Sequence, residues 1–325
     1  MHATSSTQFD AAGGHGVPGL ELVRDGLYCY GLPQPGTLPH YAFSYLLLDS
    51  GGAVHVIDAG WDSDENWQRF TRVLSGLGRS EKDVATVTVT HLHPDHLGMA
   101  ARIRAASGAS VALHRAEQDG IRELAAPVVE SEVEARLESW GVPTDRRPEL
   151  LEAFRGRSGW TAFTADRLLD DGESLEIPGR SVRALHTPGH TTGHLAFVDD
   201  ANELLFLGDL LLPNQFPGIG LGGTPVANPI DDYLASLATV AALDRFEALP
   251  GHGYRFTGIA ARSEETAAHH GRRTEQVASA IAPGQTVWDL ASVLTWTAGW
   301  QNLRGLALLS ALSQTDLHLA RIRDR

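Results

Sequence analysis

The chain has 325 residues, 42% of them apolar and 20% charged. These are globular values, and the length suits one large domain or a domain of about 250 residues with an appendage. A net charge of -14 argues against a broad nucleic-acid-binding surface, and no apolar run reaches the roughly 18 residues a membrane span needs. Cys29 is the only cysteine, which excludes an internal disulfide and a thiolate metal cluster and fits a reducing, cytoplasmic setting.

Residues 1–19 are rich in Gly, Ser and Thr and lack an apolar signal core, which predicts a flexible tail. Leu20–Tyr30, Tyr41–Leu48 and Ala53–Ile57 read as strands, the last two joined by a Gly51-Gly52 hairpin turn. Ser63 or Asp64 can cap a helix to Leu74, and Val84–Thr90 is the next strand. Gly98–Ala106 reads as a helix, Ser110–Leu113 as a strand and Ala116–Ala125 as a helix. Glu130–Trp140 and Pro148–Phe154 are helical, so about 115–160 reads as a helical insertion or lid. Strands return at Arg167–Leu169, Val182–His186, Leu195–Asp199 and Leu204–Leu207; Asp231 caps a helix to Leu243, and Arg245–Leu249 is a last strand. Beyond Gly258 the pattern is helical over Ile259–Ile281, Val287–Trp296 and Leu303–Ile322, giving a C-terminal helical domain over 258–325 after a catalytic domain over 20–257. Two β-rich halves, each with helices, predict an α+β fold of two facing sheets with helices outside.

The chemistry concentrates in Thr90-His91-Leu92-His93-Pro94-Asp95-His96-Leu97-Gly98, directly after a predicted strand. Imidazole and carboxylate donors in such density suit Zn²⁺, and also Fe or Mn. Three more candidates each follow an apolar strand beside a glycine: His190 in Thr187-Pro188-Gly189-His190, Asp209 in Leu207-Gly208-Asp209, and His252 in Pro250-Gly251-His252-Gly253. Strand ends converging on one rim of a sandwich build a site.

This set of residues resembles the ligands of the metallo-β-lactamase-fold hydrolases, in the glyoxalase II and lactamase-like branch, over roughly Leu20 to Tyr254. The resemblance implies a four-layer αβ/βα sandwich. It implies that His91, His93 and His190 hold a first metal, that Asp95, His96 and His252 hold a second, and that Asp209 bridges them. Two Zn²⁺ are expected, with Fe or Mn as alternatives. Asp58, in Val56-Ile57-Asp58-Ala59-Gly60, matches the family's acidic residue behind a ligating imidazole. Asp95 and His96 are both present with no cysteine nearby, which points away from penicillin-type substrates. Two metals sharing a hydroxide of lowered pKa would attack a carbonyl or phosphorus centre, with Asp95 and Asp209 as the catalytic carboxylates and Asp95 able to shuttle a proton.

Other residues carry weaker signals. His194, ending Gly189-His190-Thr191-Thr192-Gly193-His194, reads as a substrate contact or, preferably, as a residue packed behind the ligands. Tyr41, Phe216 and Tyr254 are candidates for a substrate rim. The C-terminal helices resemble the winged-helix-like tail of part of the family; Arg272 and Arg273 there read better as a solvated basic face than as a phosphate grip. The expected activity is hydrolysis of an ester, thioester or lactone in a small acyl substrate, and the alternative is a nuclease or phosphodiesterase. A membrane or nucleic-acid partner is not expected, and self-association is left open.

Overall fold

The computed structural model describes residues 1–14, 16–35, 39–157 and 162–324; positions 158–160 of the expected insertion lie outside them. In chain order, the amino-terminal part comprises β1 (His2–Ala3), α1 (Ser6–Ala12), β2 (Glu21–Arg24), β3 (Leu27–Pro33), β4 (Tyr41–Leu48), β5 (Val54–Ile57), α2 (Asp64–Gly76), β6 (Val84–Thr88), α3 (Pro94–Leu97), α4 (Ala100–Ser107) and β7 (Ser110–His114). The chain continues through α5 (Arg115–Ala125), α6 (Glu130–Ser139), α7 (Arg147–Arg157), β8 (Arg167–Leu169), β9 (Val182–His186), β10 (Leu195–Asp199) and β11 (Leu204–Gly208). It ends with α8 (Pro229–Ala241), β12 (Glu247–Pro250), β13 (Phe256–Thr257), α9 (Ile259–Ala280), α10 (Val287–Val293) and α11 (Gly305–Arg323).

A 7-stranded sheet has the order β2-β3-β4-β5-β6-β7-β8, and a 6-stranded sheet the order β1-β13-β12-β11-β10-β9. Pairing turns from antiparallel to parallel at β5–β6 in the first sheet and is parallel at β11–β12 in the second. Each parallel step needs a crossover, which α2, α4, the α5–α7 segment and α8 supply. The alternation of β4 shows how the layers form. Tyr41, Phe43, Tyr45 and Leu47 point between the sheets, against Phe197, Leu204 and Phe206. Leu46 packs outward with Phe70 and Leu74 of α2 and Ile103 of α4. On the far side, Val198, Leu205 and Leu207 meet Tyr233, Leu237 and Val240 of α8. Helices therefore cover both outer faces, which is the α+β, four-layer architecture expected.

Three details differ from the sequence reading. Leu20–Tyr30 is two strands rather than one, because Asp25-Gly26 turns the chain, with Gly26 at φ 64°. Residues 1–14 are ordered rather than a flexible tail. His2–Ala3 pairs with β13, and Ser5 caps α1 by accepting from the Gln8 amide at 3.1 Å. The buried Gln8 side chain donates to Glu21 Oε2 at 2.6 Å and accepts from the Arg255 amide at 3.0 Å. These partners replace the water that a Ser/Thr/Gly composition suggests. Finally, the C-terminal segment is helical, but among the described residues after Thr257 there is no strand, so the helices carry no wing.

The helices after β7 and those at the C-terminus share one apolar core. Leu137 and Trp140 around α6 and Leu150 of α7 pack with Leu290 of α10 and Leu308 and Leu312 of α11. Among the described residues, no helix is long and apolar enough to cross a membrane.

Candidate metal centre

Four strands deliver the candidate ligands to one rim, and a fifth delivers the carboxylate behind them. β6 leads into His91, and His93 stands at the N-terminus of α3, whose first residue Pro94 fixes the turn. His190 follows β9, Asp209 follows β11 directly, and His252 follows β12. Asp58 directly follows β5 and takes φ 60°, a left-handed conformation that Asp tolerates better than most residues.

The inward-facing atoms form clusters. His93 Nδ1 lies 2.9 Å from His91 Nε2 and 3.1 Å from His190 Nε2. Nitrogens on one tetrahedral Zn²⁺, with Zn–N bonds near 2.0–2.1 Å, stand about 3.3 Å apart, so this spacing fits a metal. His252 Nε2 is 3.3 Å from Asp95 Oδ2 and 3.3 Å from Asp209 Oδ1, and His96 Nε2 is 3.5 Å from Asp209 Oδ1 and 3.7 Å from Asp95 Oδ2. The other carboxylate oxygen of Asp209, Oδ2, faces His190 Nε2 at 3.8 Å. One oxygen of Asp209 thus turns to each cluster. His96 Nε2 and Asp209 Oδ1 are buried with no hydrogen-bond partner, a state proteins avoid unless an ion or water is to be bound. Gly251 permits the close approach, since a Cβ there would meet Asp209 Oδ1 at 2.4 Å and His96 Cε1 at 2.7 Å.

Each imidazole is tied outward by its other nitrogen. His91 Nδ1 meets Thr90 Oγ1 at 3.0 Å, His93 Nε2 the Leu221 carbonyl at 3.2 Å and His190 Nδ1 the Gly218 carbonyl at 2.7 Å. His96 Nδ1 meets Asp58 Oδ2 at 2.8 Å, and His252 Nδ1 the Tyr41 carbonyl at 2.7 Å. Asp58 also accepts from the Thr90 amide and hydroxyl, at 2.8 and 2.9 Å. Outward donation of this kind sets the tautomer and turns the second nitrogen to the centre. His194 stands behind the ligands: its Nε2 accepts from the Asp209 amide at 3.1 Å and its Nδ1 meets Thr187 Oγ1 at 2.8 Å.

Electrostatics separates the two groups. Burial, together with neighbouring imidazoles, holds His91 well below its ordinary pKa and brings His93 to about 4. For His96 burial works the same way but is outweighed by Asp95, Asp58 and Asp209, which push it up to about 9. His252 is likewise raised against its burial, by Asp209 and Asp95. Asp209 is held well below the carboxylate range despite burial, by His252 and His96. The carboxylate-rich half thus draws positive charge, whether protons or a cation.

The expected rim residues are placed differently from one another. Tyr41 is buried with its hydroxyl donating to the Gly253 carbonyl at 2.9 Å. Tyr254 is buried edge-on against Phe9, with ring centroids 5.1 Å apart. Both hold structure and present no free face at the rim. Phe216 is exposed, stacked on His269 at 4.0 Å with the Arg262 guanidinium 4.7 Å from its ring. Sequence reasoning missed Glu117, a fully buried carboxylate on α5 whose oxygens accept from the amides of Leu92 and Gly193, both at 2.6 Å. Burial raises its pKa to about 7. Only a carboxylate in the first turn of an amphipathic helix marks it in the sequence, and that is commonplace.

Sandwich and rim together define the class: a two-sheet fold with His/Asp clusters at strand ends able to hold metal ions. The family model described as "Metallo-beta-lactamase superfamily" matches residues 38–252, and the chain belongs to that superfamily. A metallo-beta-lactamase family protein from Thermus thermophilus superposes with a TM-score of 0.77 at 31% identity, covering 93% of this chain and 95% of that one. A "lactamase-like protein" of Aspergillus niger is 30% identical over 268 residues, 82% of this chain and 67% of the relative. An "atrochrysone carboxyl ACP thioesterase" of Aspergillus fumigatus is 24% identical over 252 residues, and this chain spans 62% of its length.

Proposed function

We propose that the chain is a dinuclear metal-dependent hydrolase of ester, thioester or lactone bonds in a small acyl substrate. In this reading His91, His93 and His190 hold one metal, Asp95, His96 and His252 hold the other, and Asp209 bridges them. The observation that carries it is Asp209, whose Oδ2 faces His190 while its Oδ1 faces His96 and His252. Zn²⁺ is the metal that the donor set suits best, with Fe or Mn also compatible. Bound there, a metal pair supplies a water-derived nucleophile at neutral pH and a Lewis acid for the carbonyl oxygen.

The chain's own groups do the rest. Asp95, partly open to solvent, sits where a carboxylate could take the proton released as water attacks, its Oδ2 lying 3.3 Å from His252 Nε2 within the same ligand group. His194 fixes the Asp209 backbone and so the bridging carboxylate. One cavity next to the loop that carries His93 suits an acyl group better than a phosphodiester, although no candidate ligand lines it. Leu92 and Pro94 open on a cavity of about 450 Å³ whose walls include Trp61, Leu97 and Phe163, within the usual range for small-molecule sites. Its one arginine, Arg104, is engaged: it donates to the Thr164 carbonyl at 2.7 Å, pairs with Asp166 at 3.3 Å and lies 4.6 Å from the Phe163 ring. The similarity to a thioesterase points the same way.

The test is a panel of acyl thioesters, lactones and phosphodiesters offered to Zn²⁺-loaded protein, with elemental analysis alongside. Two metal ions per chain and turnover of an acyl substrate are expected. One metal or none under metal-replete conditions overturns the dinuclear reading, and turnover confined to phosphodiesters overturns the substrate class.

A further inference from the structure

We propose that Glu117 is a positioning residue for the first ligand group, a buried clamp that locks the loop carrying His91 and His93 to the loop carrying His190. The inference rests on the metal-site reading above. Leu92 lies between His91 and His93 and gives its amide to Glu117 Oε2 at 2.6 Å; Gly193, three residues after His190, gives its amide to Oε1 at 2.6 Å. These loops leave different sheets, after β6 and β9, and the Leu195 amide joins them at their base by donating to the Thr90 carbonyl at 2.8 Å. Nearer the ligands, a single carboxylate with one oxygen on each loop holds them together.

The packing around it leaves little slack. A Cβ at Gly193 would meet the Glu117 amide at 2.6 Å, and a Cβ at Gly120, one turn further along α5, would meet Leu92 Cδ2 at 2.8 Å. Helix α5 is thus seated against both loops through neighbouring positions of one face. A buried carboxyl is unfavourable unless fully hydrogen-bonded, and an apolar side chain would fill the same space. The group present is one that accepts from two amides at once. The outward bonds of His93 and His190 to Leu221 and Gly218 orient rings; the clamp sets the distance between the backbones that carry them. The second group is supported by Asp58 and the Tyr41 carbonyl, and Asp58 reaches the first group only at His91, through the Thr90 hydroxyl.

The experiment is a titration of metal-free wild type and Glu117→Gln with Zn²⁺ against a chromophoric chelator and with Co²⁺ read by its visible d–d spectrum. The carboxamide keeps the volume but turns an N–H₂ donor toward one of the two amides. Wild type is expected to bind two equivalents. The variant is expected to keep one at wild-type affinity and to bind the other about 10–100-fold more weakly, with an altered Co²⁺ spectrum for that equivalent and near-normal melting of the metal-free protein. Two equivalents at wild-type affinity and spectrum overturn the clamp, as does equal weakening of both with a lowered metal-free Tm. Failure of wild type to bind two overturns the underlying reading instead. Hydrogen exchange on metal-free wild type tests the clamp without a variant: the Leu92 and Gly193 amides are expected to be protected, and rapid exchange at both sinks it.

Discussion

The two ligand groups share Asp209 yet hang from different parts of the molecule. His93 and His190 lean on the carbonyls of Leu221 and Gly218, in the connection between β11 and α8. His96 and His252 lean on Asp58, at the end of β5, and on the carbonyl of Tyr41, within β4. In the first, burial and then neighbouring imidazoles depress the basicity of His91 and His93; in the second, carboxylates outweigh burial and raise it. Loop packing sets most of the geometry of the first, with His91 alone tied through Thr90 to Asp58, while charge and a rigid sheet set the second. They should therefore fail differently when disturbed.

Asp209→Ala removes what they share and carries the largest expected effect. Hydrolysis of an identified substrate should fall by more than about 10³-fold, beyond the 10–100-fold typical of an outer partner, and metal content should drop at both positions. Retention of two tightly bound metals would break the idea of a common bridge. Asp58→Asn strikes the second group directly and the first only through Thr90. Asn accepts the left-handed backbone at this position, so the variant removes charge while sparing the turn. It should weaken the equivalent at His96 about 10–100-fold and the other by a smaller factor in the Zn²⁺ titration, because Asp58 reaches His91 only through the Thr90 hydroxyl. Equal weakening of both would show that the sheet supports the whole centre.

How much of this was legible depends on how local the signal was. His91 through His96 form one dense motif, and His190, Asp209 and His252 each sit beside a glycine after an apolar run, so the residues that the structure brings together could be named in advance. The alternation of strands such as Tyr41–Leu48 made the sandwich readable too. What could not be read depends on partners far apart in the chain. Glu117 is one acidic residue among several on α5 until its amide partners, at Leu92 and Gly193, are known. The N-terminal segment looks loose until Gln8 finds Glu21 and Arg255. Tyr41 and Tyr254 looked available because they stand next to site loops, but packing turned both inward. The shared core of α6, α7, α10 and α11 joins residues well over a hundred positions apart, which no periodicity reveals.

Arg262 tests how far the first group depends on its loop. From α9 it donates to the carbonyls of Leu212 and Gln215, both at 2.7 Å, in the segment between Asp209 and the Gly218 carbonyl that holds His190. Arg262→Gln should cost about 2–4 kcal/mol of stability through the loss of charged, buried hydrogen bonds, read as a lowered Tm in metal-free protein. If the loop tunes only the first group, a single metal equivalent should weaken, about 10-fold or less. A variant with both equivalents intact would assign Arg262 to folding alone.

The smallest effect supplies the background against which acid sensitivity of the metal centre must be judged. His270 and His318 lie buried between α9 and α11, away from the ligands. Burial, helped by neighbouring cationic groups, brings His270 to about 3 and His318 to about 4. The Thr274 hydroxyl donates to the His270 carbonyl and meets His318 Nδ1 at 2.9 Å, while Arg321 donates to it at 3.2 Å. That arrangement suits a neutral imidazole whose Nδ1 donates. In the unfolded chain both rings titrate near 6.5, so below that pH the unfolded state binds more protons than the folded one. Stability is then fully present above about pH 7 and declines as pH falls from about 6.5 toward 4, with each ring contributing at most about 1.4 kcal/mol per pH unit. Denaturant midpoints of metal-free protein between pH 7.5 and 5 should follow that slope, and His318→Gln, which keeps a donor but cannot titrate, should flatten it by one proton's worth. An unchanged slope in the variant would move the acid sensitivity back to the ligand histidines, where the two groups' contrasting electrostatics would have to account for it.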